Sequence, residues 1–116
     1  MNTSLLRSSI RGNNVVTFIN EESETTKESS RELVFRYDYD TSEGPKEGSN
    51  MDAARTNAFY VINSVHDFAF RYGFTESSFN FQSNNFGKGG KGGDRVLMDV
   101  QNDDGVNNAN FATPPE

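Results

Sequence analysis

The stretch M-D-A-A-R-T-N-A-F-Y-V-I-N-S-V-H-D-F-A-F-R-Y, residues 51–72, decides the fold. Its apolar residues recur at intervals of three or four, which is the period of an amphipathic α-helix. They are Ala54, Ala58, Val61, Val65, Phe68 and Tyr72. Asn50 is a candidate N-cap, and Gly73 is placed to be the C′ residue. We therefore expect one long helix whose apolar stripe needs cover on much of its circumference.

Shorter segments on both sides of this helix show the patterns of β-strands. We expect strands at 15–19, 32–40 and 95–101. The tetrapeptide N-D-D-G at 102–105 predicts a hairpin turn, with a returning strand at 106–112. The sequence thus indicates an α+β fold with one long helix, strands and an edge hairpin.

The remaining segments have the composition of loops, with no internal repeat among them. We expect loops at 41–50 and 75–94, and either a loop or a disordered linker at 20–31. Residues 1–14 are polar with scattered aliphatic side chains, which is typical of a frayed or displaced terminus.

Composition excludes several classes of protein. The chain has 116 residues, enough for one domain or part of one. No apolar run approaches about 18 residues, which excludes a membrane span. The absence of Cys excludes a disulfide-stapled fold. The net charge of −6 is spread evenly over both halves and leaves no basic surface for nucleic acid.

A glycine-rich segment matches a dinucleotide-binding fingerprint by its letters alone. The spacing is Gly87-x-Gly89-x-x-Gly92. That chemistry needs a strand before the glycines and a helix after them to hold the pyrophosphate. A strand is expected after this segment, so a flexible glycine loop is the better interpretation.

Two further patterns invite a metal-site hypothesis. Asp99, Asp103 and Asp104 could hold a cation, but the spacing to Gly105 does not fit an EF-hand loop, and a turn is the better interpretation. His66 is the only His in the chain, and no second ligand shares its helical face. A His held by hydrogen bonds beside the packed helix is therefore favoured over a zinc ligand.

Three stretches resemble one known family. They are A-A-R-T-N-A-F-Y-V-I-N-S-V-H-D-F-A-F-R-Y-G-F-T-E-S-S-F-N-F-Q (53–82), N-N-F-G-K-G-G-K-G-G-D-R-V (84–96) and N-N-A-N-F-A-T-P-P (107–115). In order and spacing they resemble the N-terminal part of the catalytic domain of the fungalysins, secreted fungal zinc metalloendopeptidases. The resemblance is strong over 53–116 and loose over 1–52, and we expect these two ranges as the organisation of the chain.

The resemblance implies part of a thermolysin-like fold and a secreted, extracellular parent that hydrolyses peptide bonds in proteins. It also implies an inhibitory propeptide, although no signal peptide is visible in this chain. The family's zinc ligands lie in an H-E-x-x-H motif and a downstream Glu, and this chain has no such motif. We therefore expect the zinc ligands and the catalytic residues outside this chain, which makes it an inactive fragment by itself.

The resemblance also assigns two substrate-binding residues. In the family an edge strand reading N-N-A holds the extended peptide, and Asn108 and Ala109 fall at those positions. The alternative is that these residues only build a hairpin. The alternative function is a non-catalytic truncated product or a peptide-binding remnant.

Overall fold

The computed structural model describes residues 8–106 and 108–113. In chain order its elements are strand β1 (Val15–Phe18), helix α1 (Asn50–Arg71), a short 3-10 helix (Glu76–Ser78) and strand β2 (Val96–Asp99). This arrangement confirms the predicted α+β fold with one long helix. Within the described ranges, no helix combines the length and the hydrophobicity that crossing a bilayer would need.

The two strands form a parallel pair, although they are far apart in the sequence. Val15 lies opposite Val96, and Phe18 lies opposite Asp99. Parallel neighbours need a long crossover connection, and here the connection contains α1. All four residues of β1 are buried, whereas the residues of β2 alternate between half-buried and exposed. The strand β1 is therefore the centre of the small core.

Residues before and after β1 cover its second edge. The Gly12 amide donates to the Val15 carbonyl at 3.0 Å, and the Ile19 amide donates to the Glu24 carbonyl at 3.0 Å. Ile10 is buried, and its amide donates to the Thr26 carbonyl at 2.8 Å. The prediction of a frayed terminus is therefore wrong for 8–14, while 1–7 lie outside the described residues.

Helix α1 ends as its sequence predicts. Gly73 has a φ of 103°, which favours glycine because it has no Cβ. Its amide donates to the Phe70 carbonyl at 3.1 Å, and the Phe74 amide donates to the Ala69 carbonyl at 3.0 Å. These two bonds form a Schellman motif and confirm Gly73 as the C′ residue.

The start of α1 corrects one expectation. Ser49 holds the N-cap position, and Asn50 is the first residue of the helix. The Asn50 side chain is buried and turned back to the preceding loop, where it accepts from the Asp40 amide at 2.7 Å. It also donates to the Asp40 and Gly44 carbonyls at 2.9 Å. Asn50 therefore ties the loop to the helix instead of capping it.

A buried guanidinium joins α1 to the loop after β1. Arg55 is 8% exposed and donates to the Thr26 hydroxyl at 2.8 Å, to the Glu24 carbonyl at 2.9 Å and to Asp52 at 3.1 Å. The Thr17 hydroxyl of β1 donates to the Arg55 carbonyl at 3.0 Å. Charge-assisted hydrogen bonds in a buried site are strong, so this cluster fixes the helix against the strand.

The strand predicted at 32–40 is wrong, because the chain has no strand there. Leu33 has a φ of 59°, which interrupts an extended backbone, and its amide donates to the Glu28 carboxylate at 2.8 Å. The Val34 carbonyl accepts from the Ser29 amide at 2.7 Å. Local bonds to the preceding loop therefore replace the ladder that the alternating pattern indicated.

The returning strand predicted at 106–112 is also not formed among the described residues of that range. Side-chain amides compete for its backbone: the Asn108 oxygen accepts from the Ala109 amide at 2.9 Å. Such local bonds favour turns over strands. Residue 107 lies outside the described part of the chain.

The outer stripe of α1 is not covered by the described residues. Val61, Val65, Phe68 and Tyr72 are 44%, 56%, 63% and 79% exposed. They follow one another at helical spacing and form one apolar ridge. An exposed ridge of this size is typical of an interaction surface, as the breadth of the stripe predicted.

We expect Arg55→Met to destabilise the 116-residue chain by about 2 kcal/mol, because Thr26, Asp52 and the Glu24 carbonyl lose a buried donor. Urea unfolding followed by circular dichroism measures the change. The matched control is Arg71→Met at the exposed end of α1, with an expected change within about 0.5 kcal/mol. Equal stability of the two variants would show that the cluster does not hold the helix.

Candidate functional site

A groove runs between β2 and the segment that follows it. Its cavity volume is about 590 Å³. We call it the edge groove, and its lining includes Leu97, Asp99, Gln101, Asn102, Asn108 and Ala109. The structure therefore brings Asn108 and Ala109, the two residues predicted to bind substrate, to one cavity.

The strand pairing leaves one edge of β2 facing this groove. The Val96 amide donates to the Asn14 carbonyl at 2.9 Å, and the Val100 amide donates to the Phe18 carbonyl at 2.8 Å. Backbone groups in a strand alternate between its two edges, so those of Leu97 and Asp99 point away from β1. In the described part of the chain the sheet has only β1 and β2. An open edge of this kind is a template for pairing with another extended chain.

Asn108 and Ala109 are exposed on the opposite wall of the groove. The Asn108 side-chain oxygen accepts from the Ala109 amide at 2.9 Å. The Asn108 Nδ2 group and the Ala109 carbonyl have no partner among the described residues. One is a donor and the other an acceptor, which is the pair of groups that a peptide bond complements.

The turn at the end of the groove is fixed by side chains from distant loops. The Asp99 carboxylate accepts from the Asn20 amide at 2.9 Å, and Asp103 accepts from the Asn20 side chain at 2.9 Å. Asp103 also forms a close ion pair with Lys46. The Lys46 hydrogen bond, with help from Asn20 and the Lys46 charge, lowers the pKa of Asp103. A turn is confirmed at Asp103 and Asp104, but the predicted edge hairpin is wrong for the described residues, because no strand follows the turn.

His66 is held by neighbouring side chains, as predicted. Its Nε2 atom lies 2.8 Å from the Gln82 side-chain oxygen, and its Nδ1 atom lies 3.0 Å from the Asp67 carboxylate. Gln82 is 2% exposed and belongs to a polar cluster with Asn80 and Glu76. A neutral imidazole donates from one nitrogen only, so one of these two oxygens accepts its proton, and both contacts position the ring beside the polar cluster.

The residues present do not fit a zinc site. Catalytic zinc takes three protein ligands, usually with His among them. Across residues 8–106 and 108–113, no group of three His, Asp or Glu side chains is arranged to hold a metal ion. Both ring nitrogens of His66, the one imidazole of the chain, lie against side-chain oxygens of Asp67 and Gln82.

The glycine-rich segment is a loop that leads into β2, as predicted, and none of the described residues after it forms a helix. A Cβ on Gly90 would lie 1.8 Å from the Glu76 carbonyl oxygen, and Gly90 has a φ of 68°. Glycine is therefore required there by close backbone approach and by conformation. The close backbone approach explains why position 90 is a glycine, so phosphate binding is not needed to explain it.

Sequence reasoning missed the residues that hold the edge groove in place. Lys46 and Asn20 belong to two separate loops, and both contact Asp103. No local sequence pattern predicts contacts between residues that lie so far apart in the chain. The outward residues Leu97 and Asp99 were signalled, because they alternate with the half-buried Val96 and Met98.

Known proteins similar to this chain are extracellular proteases. The family model for the fungalysin metallopeptidases (M36) matches residues 2–116. Extracellular metalloproteinase 5 of Trichophyton tonsurans is 43% identical over 111 residues, covering 91% of this chain and 18% of the relative. Extracellular metalloproteinase 1 of Arthroderma gypseum is 42% identical over 114 residues, covering 94% of this chain and 18% of the relative. The chain thus spans less than a fifth of the length of these curated relatives.

We expect Lys46→Met to raise the pKa of Asp103 toward its ordinary value, because the variant removes both a hydrogen bond and a positive charge. Carboxyl ¹³C chemical shifts followed against pH measure this titration. Because the folded-state pKa is depressed, the pairing stabilises the turn above the unfolded-state pKa and is lost as pH falls through the folded value. The control Lys88→Met, on the glycine loop, should leave the Asp103 titration unchanged. Identical Asp103 curves in the Lys46 variant and the native chain would contradict the pairing.

Proposed function

This chain belongs to the fungalysin metallopeptidase family, and on that premise we propose that it forms the peptide-binding edge of a secreted zinc metalloendopeptidase. The zinc ligands and catalytic groups of that enzyme lie outside this chain. Zinc supplies the Lewis acid and the activated water of such proteases. This chain contributes the surface on which the substrate lies. The described residues after 52 carry that surface, and residues 8–52 supply the supporting strand and loops.

The observation that carries the proposal is the edge groove. One wall offers the outward backbone groups of β2, and the other offers the free Asn108 donor and the free Ala109 acceptor of the described chain. An extended peptide presents one donor and one acceptor per residue. It can therefore add to the groove as a strand, with backbone bonds providing affinity.

Within the groove, the two residues have separate tasks. The Asn108 amide group donates to a carbonyl of the peptide, and the Ala109 carbonyl accepts from a peptide amide. Together they hold the peptide backbone in one register, so that one peptide bond is presented for hydrolysis. Orientation of this kind contributes much of an enzyme's rate.

The exposed ridge of α1 supports the proposal that the chain is part of a larger domain. The rings of Phe68 and Tyr72 contact each other at a tilt of 44°, with centroids 5.0 Å apart, and both side chains remain exposed. Such a ridge is normally buried by neighbouring elements. The inhibitory propeptide and secretion implied by the family belong to the same proposal for the whole protein.

The second candidate function is a non-catalytic peptide-binding product. The lack of an H-E-x-x-H motif in this chain favours it. The coding sequence downstream of residue 116 distinguishes the two candidates. An in-frame H-E-x-x-H within about a hundred codons supports the protease, and a genuine stop supports the non-catalytic product.

For the 116-residue chain alone we expect neither one equivalent of bound zinc nor cleavage of casein, because one His cannot supply a three-ligand site. Metal analysis after dialysis and a casein assay measure both properties. One-to-one zinc binding together with proteolysis that a chelator abolishes would contradict this expectation.

For the zinc-loaded protease that contains this chain, we expect Asn108→Ala to lower kcat/KM by roughly one to two orders of magnitude, about 1.4 kcal/mol per tenfold. The lost hydrogen bond loosens the register of the peptide while zinc content and Tm stay constant. Ala109→Pro should also lower kcat/KM, because it restrains the backbone of the groove wall. The matched control is Asn57→Ala on the exposed face of α1.

Full activity of the Asn108→Ala enzyme with normal zinc would rule out the proposed peptide contact. Loss of zinc or a large fall in Tm would instead assign Asn108 to the hairpin structure, which was the alternative interpretation of the sequence.

A further inference from the structure

A second, smaller cavity lies next to the segment that carries Asn108 and Ala109. Its volume is about 210 Å³, and no polar atom is exposed inside it. Most of its lining consists of apolar side chains of α1, of the loop after it and of β2, including Ile62, Val65, Ala69, Phe81, Val96 and Phe111. Asn14, His66 and Asn80 complete the lining. We call it the apolar cavity. An apolar cavity of about 150 Å³ is large enough to bind a benzene ring.

Phe111 stands at the rim of this cavity. Its side chain is 80% exposed, although it is one of the lining residues. It is the only aromatic residue after Phe86. Moving its ring from water into the apolar cavity removes apolar surface from solvent, which is favourable.

The position of Phe111 links the cavity to the edge groove. It follows Ala109 by two residues, so in an extended chain the two side chains point to the same side. In the structure the segment is not extended, and the Asn108 oxygen accepts from the Ala109 amide. A peptide that adds to this segment as a strand needs its backbone extended. Extending the backbone breaks the Asn108–Ala109 bond, so peptide addition needs a compensating gain in free energy.

We propose that Phe111 is a positioning residue whose ring enters the apolar cavity when a peptide occupies the edge groove. The proposal rests on the peptide-binding function argued above. Insertion of the ring straightens the segment, releases the Asn108–Ala109 hydrogen bond and presents both residues to the peptide. Peptide binding and ring insertion therefore favour each other, since each needs the extended form of 108–111.

The first experiment measures kinetics of the zinc-loaded protease that contains this chain, with a casein-derived peptide as substrate. Phe111→Ala should raise KM about tenfold and change kcat less than threefold. Phe111→Leu should stay within about threefold of the native KM, because leucine also fills the cavity. The control Phe86→Ala removes an exposed ring on the glycine loop and should change neither constant.

A double-mutant cycle tests whether the ring acts through the cavity. Ala69→Leu fills the cavity from α1 without touching the groove, and it should raise KM as Phe111→Ala does. The double variant should be no worse than either single variant, because both remove the same insertion. Additive effects of the two substitutions would overturn the proposal.

A binding measurement on the 116-residue chain gives a readout independent of activity. The chain contains no Trp, so Phe111→Trp creates a single fluorescent reporter. Addition of the non-aromatic peptide acetyl-Ala-Ala-Leu-Ala-Ala-amide should shift its emission to the blue, and Ala69→Leu should abolish the shift. Emission that does not change, as expected for the control Phe86→Trp, would overturn the proposal.

The outcomes separate this inference from the proposed function. If Asn108→Ala lowers kcat/KM and Phe111→Ala changes neither constant, the groove binds peptide and the ring does not position it. If Asn108→Ala is fully active, the proposed function fails and this inference fails with it.

Discussion

The buried guanidinium of Arg55 is the constraint on which the rest of the structure depends. Its hydrogen bonds reach Thr26, the Glu24 carbonyl and Asp52, while the Arg55 carbonyl accepts from Thr17 of β1. A buried charge needs such partners, so the helix, the strand and the loop between them are held in one arrangement. The small apolar core of the described chain, which includes Ile10, Val15, Val16, Phe18 and Ala58, packs within this frame.

The position of β1 in turn determines where the open edge of the sheet lies. Residues 9–12 and 24–26 occupy one side of β1, so β2 pairs on the other. The far edge of β2 then faces the segment 108–110 across the edge groove. Asp103, paired with Lys46 and Asn20, holds the turn that connects the two walls. The proposed peptide site is thus a consequence of the packing and not an isolated motif.

The sequence predicted those parts of the fold that depend on local chemistry. The period of residues 51–72 and the glycine at 73 predicted α1 and its end, because helix bonds and the Schellman motif are local. The alternating pattern at 32–40 predicted a strand that is not formed, because a strand also needs a neighbouring strand to pair with. The Leu33 amide instead donates to the Glu28 carboxylate. The family resemblance predicted Asn108 and Ala109 as substrate-binding residues, and that role stays a prediction. The apolar cavity beside Phe111 is formed by residues that are distant in the sequence, so no local pattern predicts it.

The most direct test of the account is a crystal structure of the zinc-loaded protease that contains this chain, with a peptide-like inhibitor bound. The account expects the inhibitor backbone to lie extended in the edge groove, with its carbonyl accepting from the Asn108 side chain and its amide donating to the Ala109 carbonyl. An inhibitor bound at the metal whose backbone contacts neither residue would contradict the central claim.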